Sequence, residues 1–358
     1  MHKIIKVKGE EYKTPIFCPD ATRGVIRSAD QKDLLDANVN GLVVNTYHLL
    51  SQPGIEVLKS VGGIKKLMSW DKLIISDSGG FQIFSLIHKN KSLGKITEDG
   101  VKFYLNTKGE KKKYFITPEE CIKIQFEIGS DIMIALDYFT PYKADKWETQ
   151  KSVETTTAWA KRCKEEFQRQ CESRGMNDGT RPLLFAVIQG GNDLEMRQRS
   201  ADELTEIGFD GYGLGGWTFD DEGKFDLKLV EQIAKMMPDD KFKYALGVGN
   251  PQNIIDCISY GYDIFDCVLP TRDARHQRLY IMEPKGEMFY SYIYISRSIY
   301  ANDDSPISKN CECYACKNYS RAYINHLFKI GDSLAFRLAT IHNLFFYSQL
   351  TLKTQQEL

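Results

Sequence analysis

No stretch of eighteen apolar residues, the length that a membrane-crossing helix needs, occurs in the chain. Its start, Met1-His2-Lys3-Ile4-Ile5-Lys6-Val7-Lys8, carries charge where a secretory leader needs an apolar run. Together these absences lead to the expectation of a soluble, cytoplasmic protein with no membrane partner. Neither sign of charge is in excess. The 47 lysines and arginines against 48 acids leave a formal charge of −1, so any polyanion must bind a local patch rather than the protein as a whole. Internal repeats and low-complexity tracts are missing, which excludes solenoid and fibrous readings. Nine cysteines is an odd number, and Cys18, Cys121, Cys163, Cys171, Cys257 and Cys267 stand isolated. That pattern suits buried thiols in a reducing compartment better than a disulfide framework.

The chain does have short apolar runs, and most are followed by helical sequence. Eight runs read as buried parallel strands: Pro15–Pro19, Gly41–Asn45, Lys72–Asp77, Asp131–Asp137, Leu183–Gln189, Gly211–Gly216, Tyr244–Gly249 and Ile264–Pro270. The clearest helical stretches are Ala29–Ala37, Pro118–Ile128, Val153–Gln170, Asp193–Ile207, Asp226–Met237 and Pro251–Ser259. At 358 residues the chain is long enough for one large architecture, and this alternation predicts an α/β fold, a TIM (β/α)8 barrel over residues 1–275. Between the third and fourth runs, Asn106–Lys113 is a turn-and-charge signature between strand-like Val101–Leu105 and Tyr114–Thr117, which predicts an inserted β-hairpin near 88–117. Residues 276–358 read as an added subdomain: a β-rich Leu279–Ile295, a cysteine cluster, and helical Asn318–Ile330 and Ser333–Gln349.

Barrel enzymes build their sites at the carboxyl ends of the strands, so the residue that ends each run matters. The third run ends in Asp77-Ser78-Gly79-Gly80-Phe81-Gln82, the fourth in Asp137, the fifth in Gln189 and the sixth in Gly215-Gly216; Asp266 lies inside the eighth. Any one of these has a structural explanation, an Asp as a helix N-cap or a Gly pair as a tight turn. Three acids crowded at one mouth repel one another, however, and an ionised Asp266 within Ile264–Pro270 is costly unless it is paired or used. Such carboxylates suit displacement at a sugar carbon, one attacking the anomeric centre while another handles the leaving group's proton. Gln189 and glycine N–H groups then read the edge of a flat heterocycle. Only His48 lies near a strand end, which weighs against metal chemistry at this mouth.

Cys311-Glu312-Cys313-Tyr314-Ala315-Cys316 places three thiols in six residues and predicts a structural Zn2+ site completed by a histidine. His326 and His342 both lie in helical sequence, and spacing alone leaves that choice open. Between residues 271 and 330 nine basic residues face six acids. Arg272 and Arg275, next to the mouth, are placed to hold backbone phosphates, whereas Lys111–Lys113 reads as a solvated hairpin tip.

The segments Asn45-Thr46-Tyr47-His48-Leu49, Asp77–Gln82, Gly129-Ser130-Asp131-Ile132, Gly247-Val248-Gly249 and Phe265–Arg272, with the cysteine cluster, resemble the tRNA-guanine transglycosylases of bacterial type, the queuine tRNA-ribosyltransferases. The resemblance implies a TIM barrel with a zinc subdomain, a homodimer, and exchange of guanine 34 in tRNA with a GUN anticodon for a 7-deazaguanine base. It makes Asp266 the nucleophile and Asp77 the general acid/base. Asp137, Gln189 and the Gly216 N–H become base-binding groups, in a pocket that Ser78, Phe81, Phe139 and Trp217 complete. Arg272 and Arg275 match RNA-contacting positions, and Cys311, Cys313, Cys316 and His342 match the zinc ligands.

The chain departs from that pattern around the pocket. Tyr138-Phe139 stands where the bacterial family usually has an acid and a small residue. Gly215-Gly216-Trp217-Thr218-Phe219-Asp220-Asp221 replaces Gly-Gly-Leu-x-Val-Gly-Glu, and Arg275-His276-Gln277 replaces Arg-Asn-Gly. These changes leave two choices of base, 7-aminomethyl-7-deazaguanine or queuine. Loss of the Asn-Gly after Arg275 also motivates a competing reading, a transglycosylase for another polynucleotide such as DNA; a third, from a different class, is a non-catalytic RNA-binding subunit, against which the presence of both Asp77 and Asp266 argues.

Overall fold

The computed structural model describes residues 3–107, 110–220, 222–283 and 289–357. Eight parallel strands form one sheet: β1 (Ile16–Pro19), β2 (Gly41–Asn45), β3 (Leu73–Asp77), β4 (Ile132–Ile134), β5 (Leu183–Ile188), β6 (Gly211–Leu214), β7 (Phe242–Ala245) and β8 (Ile264–Cys267). From β2 to β8 each strand pairs with the next in sequence, and β8 pairs with β1. The remaining seam, between β1 and β2, is closed by a parallel bridge from Asp20 to Val43, where the Ala21 N–H donates to the Val43 carbonyl at 2.7 Å. The predicted (β/α)8 barrel is the observed one.

Both faces of a barrel strand are covered, which is why the runs are apolar throughout rather than alternating. In β5, Leu183, Phe185 and Val187 join the interior cluster, while Leu184, Ala186 and Ile188 pack beneath the outer helices. A hairpin of Ile4–Val7 and Glu10–Lys13 plugs the amino-terminal end, burying Ile5, Val7 and Tyr12 against the interior cluster. Lys3 fastens this plug to Asp263 at 2.9 Å.

Five strands stop short of their predicted ends, β5 and β6 by one or two residues and β4, β7 and β8 by three or more. After β4 and β7 the chain turns into loops that carry Asp137 and Gly247, and after β8 the segment Leu269–Arg275 is helical. Pro270 in its first turn lacks an N–H that a helix start would leave unpaired anyway, so an apolar run that reads as strand opens a helix instead. The insertion is a three-stranded antiparallel sheet, Gly94–Thr97, Gly100–Thr107 and Glu110–Ile116, one strand more than the expected hairpin. Its Val101, Phe103 and Ile116 face the main core. Lys108 and Gly109, at the tip of the predicted turn, lie outside the described residues, as do Asp221 and Lys285.

Beyond the barrel, strands Arg278–Met282 and Tyr290–Tyr294 pair, and helices Tyr314–Asn318, Arg321–Ile330 and Ser333–Glu357 follow. The last helix packs on the barrel: Phe346, Tyr347 and Leu350 belong to the same apolar cluster as Phe17 of β1 and Phe265 of β8. The Tyr347 hydroxyl donates to the Gly249 carbonyl at 2.7 Å. On the same helix, Asn343 donates to the carbonyls of Pro270 and Arg278, both at 3.0 Å, and accepts from the Tyr280 N–H. The short helix that carries Arg272 and Arg275 is thereby braced from behind.

Candidate active site

The alternation that fills the barrel interior also explains which residues reach its mouth. Leu73 and Ile75 point inward, and two residues on stands Asp77; Ile264 leads likewise to Asp266, Val187 to Gln189, Val43 to Asn45, and Cys18 to Asp20. The carboxyl ends of the strands thus present polar groups to a cleft of about 750 Å³, lined among others by Asp20, Asn45, Asp77, Phe81, Asp137, Phe139, Gly216, Trp217, Asp266 and Arg272. That volume suits a heterocycle with its sugar.

Asp266 is held through one oxygen. The Tyr244 hydroxyl donates to Oδ1 at 2.8 Å and the Gly247 N–H at 2.9 Å, while Oδ2 has no hydrogen bond among the described residues. Gly247 reaches it from a turn at φ +73°, a conformation that side-chain-bearing residues rarely adopt. Asp77 Oδ2 accepts from Asn45 Nδ2 at 2.5 Å. Asp137 Oδ2 accepts from Gln189 Nε2 at 2.6 Å, and the Ser78 hydroxyl also bonds this carboxylate. A Cβ at Gly80 would stand 2.8 Å from Asp137 Oδ1, so glycine there allows the close approach. Gln189 is fully buried, its Oε1 accepting from the Thr140 N–H and hydroxyl, so it stands behind Asp137 rather than on the cleft wall.

Burial raises all three carboxyls. Asp77 is pushed up to about 7 by burial first and then by the charges of Asp137 and Asp266. Burial outweighs the Gln189 and Ser78 hydrogen bonds to lift Asp137 to about 6, and outweighs those from Gly247 and Tyr244 to lift Asp266 to about 6. Near neutral pH the cleft therefore offers an ionised Asp266 beside an Asp77 that can hold or release a proton, a pairing that acid/base chemistry uses.

The same crowding should cost stability. Asp77 binds its proton more tightly folded, at about 7, than at the ordinary value of 3.8, so its contribution favours the fold in acid and is lost as pH rises through about 7. Asp77→Asn is expected to raise the melting temperature at about pH 8 by several degrees, about 1–3 kcal/mol, and to bring almost no gain at about pH 4. Thermal melts at the two pH values check this; equal shifts at both would contradict the electrostatic cause.

Opposite Asp266 the wall is aromatic. Phe81 meets Phe139 edge-on at 4.9 Å, and Tyr142, Trp217, Phe219 and Phe225 follow in a chain of contacts between 5.2 and 5.7 Å. Phe81 is 49% exposed and Trp217 37%, enough open ring for a flat ligand to cover. Arg272 is exposed and lines the cleft, and Arg275 lies one turn further along the same helix, half-buried. Part of the basic run is structural instead: Arg278 pairs with Asp273, Lys317 with Glu312 and Arg321 with Asp303.

The thiols of Cys311, Cys313 and Cys316 and a ring nitrogen of His342 all lie within 4.8 Å of one another. His342 Nδ1 is 3.7, 3.6 and 3.3 Å from the three sulfurs. An ion about 2.3 Å from each sulfur and about 2.0–2.1 Å from nitrogen would set such edges at about 3.5 Å. His342 Nε2 is 2.6 Å from the Tyr280 carbonyl, which fixes the proton there and leaves the Nδ1 lone pair for the sulfurs. The cluster is compatible with a metal ion such as zinc, whereas His326 faces solvent on helix Arg321–Ile330.

Among the lining residues, Asp20, Asn45, Tyr244 and Leu246 carry no role in the sequence reading. The inward alternation just described is the signal that finds the first two. Tyr244 reads as strand filler until its hydroxyl is seen on Asp266.

A family model described as queuine tRNA-ribosyltransferase matches residues 3–358. A queuine tRNA-ribosyltransferase of Staphylococcus aureus (strain bovine RF122 / ET3-1) is 41% identical over 347 residues, covering 97% of this chain and 86% of the relative. One from Thermodesulfovibrio yellowstonii (strain ATCC 51303 / DSM 11347 / YP87) is 41% identical over 354 residues, covering 99% and 87%. At that identity over nearly the whole length, the chain belongs to the queuine tRNA-ribosyltransferase family of pentosyltransferases.

Proposed function

We propose that this chain exchanges guanine 34 of tRNAs with a GUN anticodon for a 7-deazaguanine, either 7-aminomethyl-7-deazaguanine or queuine. The observation that carries the reading is the free Oδ2 of Asp266, in one cleft with Asp77 and Asp137. Asp266 Oδ2 attacks C1′, the bond from C1′ to guanine breaks, and a covalent ribosyl ester forms. Asp77 gives its proton to the departing guanine and takes one from the incoming base, which then attacks C1′ and releases Asp266. The nearly neutral titration of Asp77 supports both transfers.

Asp137 accepts from the N1 and amino edge of the base and the Gly216 N–H serves the 6-oxo group. Gln189 orients Asp137 through its 2.6 Å bond and completes this polar side. Ser78 holds the same carboxylate, and Phe81, Phe139 and Trp217 cover the ring faces and the 7-substituent. Arg272 and Arg275 bind phosphates of the anticodon loop. Zinc on Cys311, Cys313, Cys316 and His342 supplies a structural clamp and no chemical step. On this reading residues 1–275 form the catalytic barrel and 276–358 the zinc-binding subdomain of a cytoplasmic homodimer.

The test is incorporation of labelled guanine into unmodified tRNA with a GUN anticodon, with both 7-deazaguanines as competitors. Incorporation is expected, and the stronger competitor identifies the base that the aromatic wall accepts. Absence of incorporation by folded, metal-loaded protein would overturn the reading, and exchange into DNA would redirect it.

A further inference from the structure

The cleft contains a fourth acid that the proposed reaction leaves idle. Asp20 follows β1, and the bridge that closes the barrel fixes its backbone against Val43. Its Oδ1 accepts from the Thr22 N–H at 2.7 Å and from the Thr22 hydroxyl. Oδ2 has no hydrogen bond or ion pair among the described residues, although the side chain lines the cleft. A carboxylate anchored through one oxygen and open through the other is built to accept from a ligand.

Its place on the rim says which part of a ligand. β1 lies between β8, which carries Asp266, and β2, while Asp137, Phe139, Gly216 and Trp217 follow β4 and β6 across the mouth. Asp20 is therefore on the side of the attacking group and away from the base wall. Arginines surround this side. Arg275 is pushed down by burial first, then by the nearby charges of Arg27 and Arg272, with Asp20 acting the other way. Phosphates held by that cluster would bring the sugar between the arginines and Asp266, over Asp20.

Stereochemistry narrows the choice further. In a β-nucleoside the base leaves from one face of the ribose, so an in-line nucleophile attacks from the other, and that is the face which carries the 2′-hydroxyl. An acceptor next to the nucleophile meets that hydroxyl. Hydrogen bonds at the 2-position of a reacting sugar strengthen as the oxocarbenium-like transition state develops.

We propose that Asp20 Oδ2 accepts a hydrogen bond from the 2′-hydroxyl of the nucleotide whose C1′ Asp266 attacks, and so makes the enzyme select ribose over deoxyribose. The inference rests on the exchange reaction proposed above. It gives the site a means of telling RNA from DNA at the reacting residue, the 2′-hydroxyl being the group that differs.

Guanine exchange is measured for wild type and Asp20→Val on two anticodon stem–loops, one all-ribose and one with a single 2′-deoxyguanosine at the exchanged position. Wild type should prefer ribose, and Asp20→Val should shrink the ribose-to-deoxyribose ratio of kcat/KM by about 10–100-fold, the range of a hydrogen bond to a charged group. Comparing ratios removes the intrinsic difference in lability of the two glycosidic bonds. A general defect of folding lowers both substrates alike and leaves the ratio unmoved. Should the valine variant fail to fold, Asp20→Asn, which keeps the shape and loses the charge, is expected to shrink the ratio in the same direction. An unchanged ratio in a folded variant overturns the proposal. So does a variant that changes only the preference between guanine and a cationic 7-aminomethyl base, which would make Asp20 a partner of the base. No exchange by wild type on the all-ribose stem–loop would instead remove the underlying reaction.

Discussion

Asp266→Asn is expected to slow exchange by on the order of 10⁴-fold or more and to abolish the covalent RNA adduct, while binding of the stem–loop stays within a few-fold of wild type. The amide oxygen of asparagine can still accept from the Tyr244 hydroxyl and the Gly247 N–H, so the local fold is kept. What is lost is the free oxygen, Oδ2, whose place an amide nitrogen would take with no nucleophilic lone pair. Binding survives because the base wall and the arginines lie on other elements: Phe139 follows β4, Trp217 follows β6, and Arg272 sits on the helix after β8. The check is an RNA–protein adduct stable on a denaturing gel, beside an equilibrium binding measurement. An adduct that survives in the variant would assign the attack to another group, with Asp77 the next carboxylate in the cleft.

The pH dependence of wild type belongs to the same argument. Attack needs Asp266 ionised and protonation of guanine needs Asp77 protonated. With the two carboxyls near 6 and 7, the productive form is most populated between those values. Both are raised chiefly by burial, so they should move together when the mouth is opened by substitution of the aromatic wall.

The barrel was legible because its strands are short apolar runs separated by amphipathic helices; β2 and the helices Pro118–Ile128 and Pro251–Ser259 fall on their expected residues. The errors are local. Leu269 and Pro270 extend an apolar run and so read as strand, but the proline is a helix opener whose neighbours Asn343 and Tyr280 hold the helix in place. The four acids show the same limit at the site. Asp77, Asp137 and Asp266 stand out as polar breaks in apolar runs, whereas Asp20 follows Pro19, where the first apolar run ends. Only the inward series Ile16, Cys18, Asp20 identifies it, and that series requires knowing which face is the interior. Gln189 is subtler: its place at the end of β5 is readable, but its engagement on both sides, by Asp137 and by Thr140, depends on a loop that spacing does not specify.

Removal of the metal, or Cys316→Ser, is expected to lower stability by about 5 kcal/mol and to raise KM for tRNA more than it lowers kcat. The stability figure is less than the roughly 10–16 kcal/mol of a peptide that folds only on its zinc, because this region already has a packed core. Ile307, Ile324, Leu327, Leu338 and Ile341 are buried together around the cluster. The effect on tRNA follows a short path through the last helix. His342 is joined to the three thiols on one side and to the Tyr280 carbonyl on the other. The next residue, Asn343, holds the Pro270 and Arg278 carbonyls, and with them the ends of the segment that presents Arg272 and Arg275. Freed thiolates would repel one another and release His342, so Asn343 would lose its register against that segment. The nucleophile should be less affected, since Asp266 is positioned by Tyr244 and Gly247 within the barrel. Chelation followed by thermal melts and by separate kcat and KM measurements checks both parts. An unchanged melting curve would contradict the clamp, and a fall in kcat alone would mean that the cluster acts on the chemistry rather than on the RNA-facing helix.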